Sequence, residues 1–142
     1  MKLFLDTSSL IKLYYKEDGT AKLDKIFVNY VVQEIFLSEI SITEFFSAIY
    51  KKVRTKDLSL KNADDVLGAF TADKDKFTFI PVDSVIIGTS QELLKKYGLK
   101  GLRALDAIQF ASAYNIRNEI DFVVSDDKLL NSFLIHEDIK IS

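Results

Sequence analysis

Three short apolar runs, each closing on an aspartate, constrain this chain more tightly than any other feature of its sequence. Lys2–Leu5 ends at Asp6, Phe77–Val82 at Asp83, and Phe122-Val123-Val124 at Ser125-Asp126-Asp127. Runs of this length and composition read as buried strands. Between them the apolar residues recur at helical spacing. Thr7-Ser8-Ser9 are N-cap candidates for a helix carrying Leu10, Ile11, Leu13 and Tyr14. Phe36–Ser41 is a further strand candidate, after which Ile42–Val53 places Ile42, Phe45, Phe46, Ile49, Tyr50 and Val53 on one helical face. Ser59 precedes a helix across Ala63–Phe70, and Ser84 one that stops at Gly98. Leu105–Tyr114 is helical with Ala107, Phe110, Ala111 and Tyr114 on one side, and Ile139-Lys140-Ile141 is a candidate edge strand.

Apolar strands alternating with helices predict an α/β fold, a three-layer sandwich around a central, mainly parallel sheet. The 142 residues contain no repeat and no Pro/Gly/Ser linker, so one domain spanning 1–142 is expected. A single core at that length buries roughly 68–70% of the unfolded surface. The first apolar run meets Asp6 before reaching the length of a signal peptide or a membrane helix. A cytoplasmic chain without membrane contact is therefore expected.

Sheets of this kind carry their functional groups beyond the carboxyl ends of the strands, and composition narrows the chemistry available there. With no cysteine the chain has no thiol nucleophile, no disulfide and no thiolate metal site. His136 is the only histidine, which excludes a multi-histidine metal site. Any metal chemistry must use oxygen ligands, and 21 Asp and Glu are available for it.

Each acid at a strand–helix junction also has a plain structural reading. Asp6 suits an N-cap, Glu44 a first-turn acid that complements the helix dipole, Asp106 a cap, and Asp126 and Asp127 a turn. Glu39 competes with Glu44 but falls in the strand candidate. Several acids at junctions of one parallel sheet are harder to dismiss together. Clustered carboxylates repel one another and favour a bound cation, and an all-oxygen set suits Mg²⁺ or Mn²⁺ over zinc or copper.

At this point the residues resemble a known family. Leu3-Phe4-Leu5-Asp6-Thr7-Ser8-Ser9-Leu10-Ile11-Lys12-Leu13-Tyr14 is similar to the opening of PIN-domain ribonucleases of the VapC toxin type. Ser41-Ile42-Thr43-Glu44-Phe45 resembles their second motif, and Leu102–Ala113, containing Arg103-Ala104-Leu105-Asp106-Ala107, their third. Phe122–Leu130 resembles the fourth. The resemblance implies an acidic quartet of Asp6, Glu44, Asp106 and Asp127 that binds Mg²⁺ or Mn²⁺ and hydrolyses RNA phosphodiester bonds. It aligns Ser125 with a hydroxyl position and Ser8 with a small polar position that helps the first acid hold its metal or water. Asp126 is the variable residue between Ser125 and Asp127, and it could substitute for Asp127. The resemblance also implies a homodimer and a cognate antitoxin protein as partner.

The net charge of −2 conceals a polarised chain. Residues 51–61 carry a net +4 through Lys51, Lys52, Arg54, Lys56 and Lys61 against Asp57, and Lys95, Lys96, Lys100 and Arg103 add +4. Basic segments beside an acidic centre suit binding of a phosphate backbone and its hydrolysis. Tyr14, Tyr15 and Tyr50 are candidates for base stacking or for the edge of the core. The dense apolar stretch from Phe27 to Phe36 suits core or a partner. Rival classes fit less well: a phosphoacceptor domain calls for paired acids after the first strand, and a haloacid-dehalogenase phosphatase for Asp-x-Asp where this chain has Asp6-Thr7-Ser8. A catalytically inactive interaction domain is the remaining alternative.

Overall fold

The computed structural model describes residues 1–142. Four parallel strands stand in the order β3-β2-β1-β4, with β1 at Lys2–Leu5, β2 at Glu34–Ser38, β3 at Thr78–Ile80 and β4 at Phe122–Val124. Leu3 lies in register with Ile35 on one side and Phe122 on the other. Successive side chains on a strand point to opposite faces, and here both faces are covered. Leu3, Leu5, Leu37 and Val124 pack against α1 (Thr7–Lys12), α2 (Thr20–Asn29), α3 (Ile40–Arg54) and α4 (Leu60–Ala72). Phe4, Phe36 and Val123 pack against α5 (Ser84–Tyr97), α6 (Ala104–Asn115) and α7 (Lys128–His136).

The three-layer arrangement follows from the strand order. The chain moves outward from β1 through β2 to β3, then returns past β1 to β4 at the opposite edge. The right-handed preference of parallel crossovers puts helices on one face during the outward path and on the other during the return. The first layer has an aromatic centre in which Phe45 and Phe70 rings sit 4.3 Å apart with Tyr14 edge-on to both. The Tyr14 hydroxyl donates to Asp73 at 2.9 Å, and burial, then Asp73, pushes its pKa up. Tyr14 is thus an edge-of-core residue and not a free stacking platform. Tyr15 lies under the Lys52 ammonium at 4.5 Å, and Tyr50 is exposed. In the second layer buried Tyr97 stacks on Phe133 and donates its hydroxyl to Glu137, joining α5 to the end of α7. No helix is long and apolar enough to cross a membrane.

The helix starts differ from the sequence expectation in one consistent way. Ser59 caps α4 as expected, accepting from the Asn62 amide at 3.1 Å. However, of the two cap readings for α1 it is Asp6 and not Thr7-Ser8-Ser9 that caps the helix, and α5 is capped by Asp83 instead of Ser84. Asp6 and Asp83 still have extended backbone, which the N-cap requires, whereas the following hydroxyl residues are already helical. Two helices, α2 and α7, escaped the sequence reading. α2 starts after Gly19, whose φ of +91° is the left-handed conformation glycine adopts freely, and buries only Leu23 and Ile26. α7 fills the span after Asp127. β2 begins at Glu34 and ends at Ser38, so Ser41 belongs to α3. Gly98 ends α5 in right-handed geometry, and the left-handed turn falls at Gly101 after a short 3-10 turn. Ile139-Lys140-Ile141 forms no strand, and Ile141 alone bridges to Val123.

Of the three strand-end aspartates, Asp83 is a cap and nothing more. It follows the edge strand β3, about 10 Å of sheet away from β1, and its Oδ1 accepts from the Ile86 amide at 3.0 Å. Asp83→Ala is expected to cost about 1 kcal/mol, read as a lower Tm in thermal unfolding, whereas Asp83→Asn leaves Tm close to wild type.

Candidate functional site

The chain's direction across the sheet reverses between β1 and β4, and crevices at such points are where open parallel sheets bind ligands. Asp6 emerges there from β1, and Ser125-Asp126-Asp127 from β4. Glu44 arrives from the second turn of α3, which follows β2, and Asp106 from the first turn of α6. Asp6, Glu44, Asp106, Asp126 and Asp127 all line one cavity of about 400 Å³, in which Leu130 is the single apolar residue. Glu39 is exposed at the start of α3 and stands outside it.

Asp6 is almost fully buried and its carboxylate is fully engaged. Oδ1 accepts from the Ser8 hydroxyl at 2.7 Å and the Ser9 amide at 2.9 Å, and Oδ2 accepts from the Ser125 hydroxyl. Three donors around one carboxylate offset the loss of hydration that burial brings. Ser125 also accepts from the Asp127 amide at 3.0 Å, so one hydroxyl links the first acid to the last. Ser8 and Ser125 thus sit against Asp6, the contact that the resemblance implied for Ser8.

Glu44 is held through one oxygen. Its Oε1 accepts from Thr7 Oγ1 at 2.9 Å and from Gln109 Nε2 at 2.8 Å, and no hydrogen bond reaches Oε2. The sequence assigns no site role to Thr7, Ser41 or Gln109. A signal existed for Gln109, which follows Asp106 by three positions and therefore shares its helix face.

Asp106 is half-buried and its carboxylate makes no hydrogen bond or ion pair. Burial raises its pKa, and the charges of Asp127, Glu44 and Asp6 push it further up against the opposing Arg103. The other three acids of the quartet thus all act on Asp106. Asp126 is differently employed, because it pairs with the ammonium of Lys12, whose side chain is only 5% exposed. Gly19 closes over that pair: a Cβ there would meet Asp126 Oδ2 and Lys12 Nζ at 2.9 Å each. Asp127 caps α7 through Oδ1, which accepts from the Leu130 amide at 3.0 Å, and its Oδ2 makes no hydrogen bond.

No three of these carboxylates converge at coordinating distance on one point. The donor chemistry nevertheless fits a hard divalent cation. Every polar group is an oxygen apart from the Gln109 amide nitrogen, and both Asp106 oxygens, Glu44 Oε2 and Asp127 Oδ2 make no hydrogen bond. Ionising Asp106 is harder in the folded chain than in the unfolded one. Its contribution to stability is therefore full below the ordinary carboxylate pKa of about 3.9 and is lost as pH rises through the elevated folded value. In chelator-treated protein at neutral pH, Asp106→Asn is expected to raise Tm by a few degrees, on the order set for a domain of this size. That gain should vanish as the melting series is carried below about pH 4.

A family model described as PIN domain matches residues 3–133. No curated protein sequence matches the chain. Among solved structures, the chain is similar to VapC20 of Mycobacterium tuberculosis, a sarcin–ricin loop cleaving toxin, at 14% identity and TM-score 0.67, covering 92% of this chain and 94% of that one. It is also similar to FitAcB from Neisseria gonorrhoeae, at 14% identity and TM-score 0.71, covering 98% and 95%. A toxin–antitoxin complex from Klebsiella pneumoniae is similar at 17% identity and TM-score 0.62, covering 88% and 86%. At these identities the likenesses concern the fold.

Proposed function

The chain belongs to the PIN-domain family, and on that premise we propose that it is a metal-dependent endoribonuclease, the toxin of a type II toxin–antitoxin pair. The observation that carries this reading is the single cavity at the β1–β4 crevice into which Asp6, Glu44, Asp106 and Asp127 all bring carboxylates. These four residues would hold Mg²⁺ or Mn²⁺, which when bound lowers the pKa of a water and neutralises charge growing on a phosphoryl oxygen.

The chain's own residues perform the remaining work. Ser8, Ser9 and Ser125 fix the Asp6 carboxylate in one orientation, so little reorganisation is needed when charge develops beside it. Asp127 is the fourth acid in this reading, because Lys12 already neutralises Asp126 and Asp127 Oδ2 makes no hydrogen bond. Lys51, Arg54, Lys56 and Lys61, at the end of α3 and the start of α4, are exposed and form no ion pair, which suits contact with an RNA phosphate backbone. An antitoxin as partner is supported by the likeness to a toxin–antitoxin complex and by the exposed apolar residues Phe27, Val28, Tyr30 and Val31. The homodimer belongs to the same proposal.

Asp6→Asn keeps the cap and the fold, since Asn caps nearly as well as Asp. Purified Asp6→Asn should lose Mg²⁺- or Mn²⁺-dependent cleavage of RNA by at least about 100-fold. Wild-type cleavage by this variant would remove Asp6 from the ligand set. Wild-type protein that cleaves no RNA with either metal would leave the inactive interaction domain as the better reading. The adjacent pair gives a crossed test. Asp127→Asn should cut activity while leaving Tm near wild type, whereas Asp126→Asn should lower Tm by a few degrees, through the buried Lys12 it leaves uncompensated, with the smaller loss of cleavage. The reverse pattern would make Asp126 the fourth acid.

A further inference from the structure

We infer that Gln109 is a positioning residue for Glu44, the hub of a proton-ordered network that decides which Glu44 oxygen is left for the cation; the inference rests on the nuclease reading above. Gln109 is 4% exposed and lines the acid cavity from α6. Its Nε2 lies 2.8 Å from Glu44 Oε1 and 2.9 Å from both Thr7 Oγ1 and Ser41 Oγ. The two hydroxyl oxygens are 3.0 Å apart, and Thr7 Oγ1 lies 2.9 Å from Glu44 Oε1.

Counting hydrogens gives this network a direction. A carboxylate only accepts, an amide nitrogen only donates its two hydrogens, and each hydroxyl donates one. Gln109 gives one hydrogen to Glu44 and shares the other between Ser41 and Thr7. Ser41 then donates to Thr7, and Thr7 to Glu44. Every path ends on Glu44 Oε1, which leaves Oε2 without a donor.

A second observation shows that the amide's orientation is imposed. Gln109 Oε1 is buried with no hydrogen-bond partner, an arrangement folded proteins rarely tolerate. Turning the amide over would aim its carbonyl at the Glu44 carboxylate, acceptor against acceptor. The orphaned oxygen therefore persists because the nitrogen must face Glu44. Packing alone does not account for a glutamine at this position, since a methionine fills the same space without a buried carbonyl.

The test uses direct binding of Mn²⁺ to the purified full chain, followed by the free-ion electron paramagnetic resonance signal with no RNA present. Gln109→Met keeps the volume and removes both donors. It should fold with Tm unchanged or raised, and bind Mn²⁺ about 10–100-fold more weakly, the range seen when the groups that orient metal ligands are removed. Thr7→Val should weaken binding in the same direction, and Thr7→Ser, which restores the hydroxyl, should recover it. Wild-type Mn²⁺ affinity in folded Gln109→Met would overturn the inference. If Gln109→Met does not fold, wild-type affinity in Thr7→Val would overturn it equally. The nuclease reading fails separately: wild-type protein that binds Mn²⁺ but cleaves no RNA sinks that reading and leaves the Gln109 result standing, and wild-type protein that binds no Mn²⁺ sinks both.

Discussion

One buried carboxylate organises the end of the sheet where the acids meet. Asp6 ends β1, caps α1 through the Ser9 amide, and accepts the Ser125 hydroxyl from the end of β4, while its own amide donates to the Val124 carbonyl at 3.2 Å. Local helix initiation and long-range strand docking thus converge on a single side chain. A carboxylate taken out of water needs such donors in its place. The hydroxyls of Ser8 and Ser125 therefore replace hydration that burial removes and fix how the carboxylate sits at the cavity.

The fold was legible because its strands are apolar on both faces and short, a pattern that a parallel sheet covered by helices demands. The periodicities of α3 and α4 were equally plain, whereas α6 is buried on most of its surface from Ala107 to Ala113. α2 escaped although Leu23, Ile26 and Phe27 keep helical spacing, because its last residues run straight into the apolar stretch Phe27–Phe36 and blur where helix gives way to β2. The hydroxyl residues after Asp6 and Asp83 compete with those aspartates as caps in the sequence, and in both cases the aspartate holds the position. What settles the matter is where extended backbone ends, and composition does not encode that.

The candidate site was legible as a set of positions, and its connections were not. Asp6 and Asp127 stand just beyond strand ends, Asp106 in a first helical turn and Glu44 in the second turn of α3, two residues deeper than a helix starting at Ile42 would put it. The pairing of Asp126 with Lys12 depends on the close passage of Gly19 over both, and the grip of Gln109 on Glu44 spans 65 positions of chain. Such contacts exist only once the layers have packed. They nonetheless divide the labour between two adjacent aspartates and choose between two oxygens of one glutamate.

The Asp6–Ser125 hydrogen bond closes a separation of 119 positions, which bears on the order in which the molecule is made. A chain growing on the ribosome has Asp6 and Glu44 in hand early, but it lacks Gln109 until α6 emerges, and Ser125 and Asp127 until β4 has followed it. Up to that moment Asp6 has no donor on Oδ2 and β1 has no neighbour on one side. The cavity that gathers the acids therefore cannot close before β4 has docked beside β1, however early the first acids are in place.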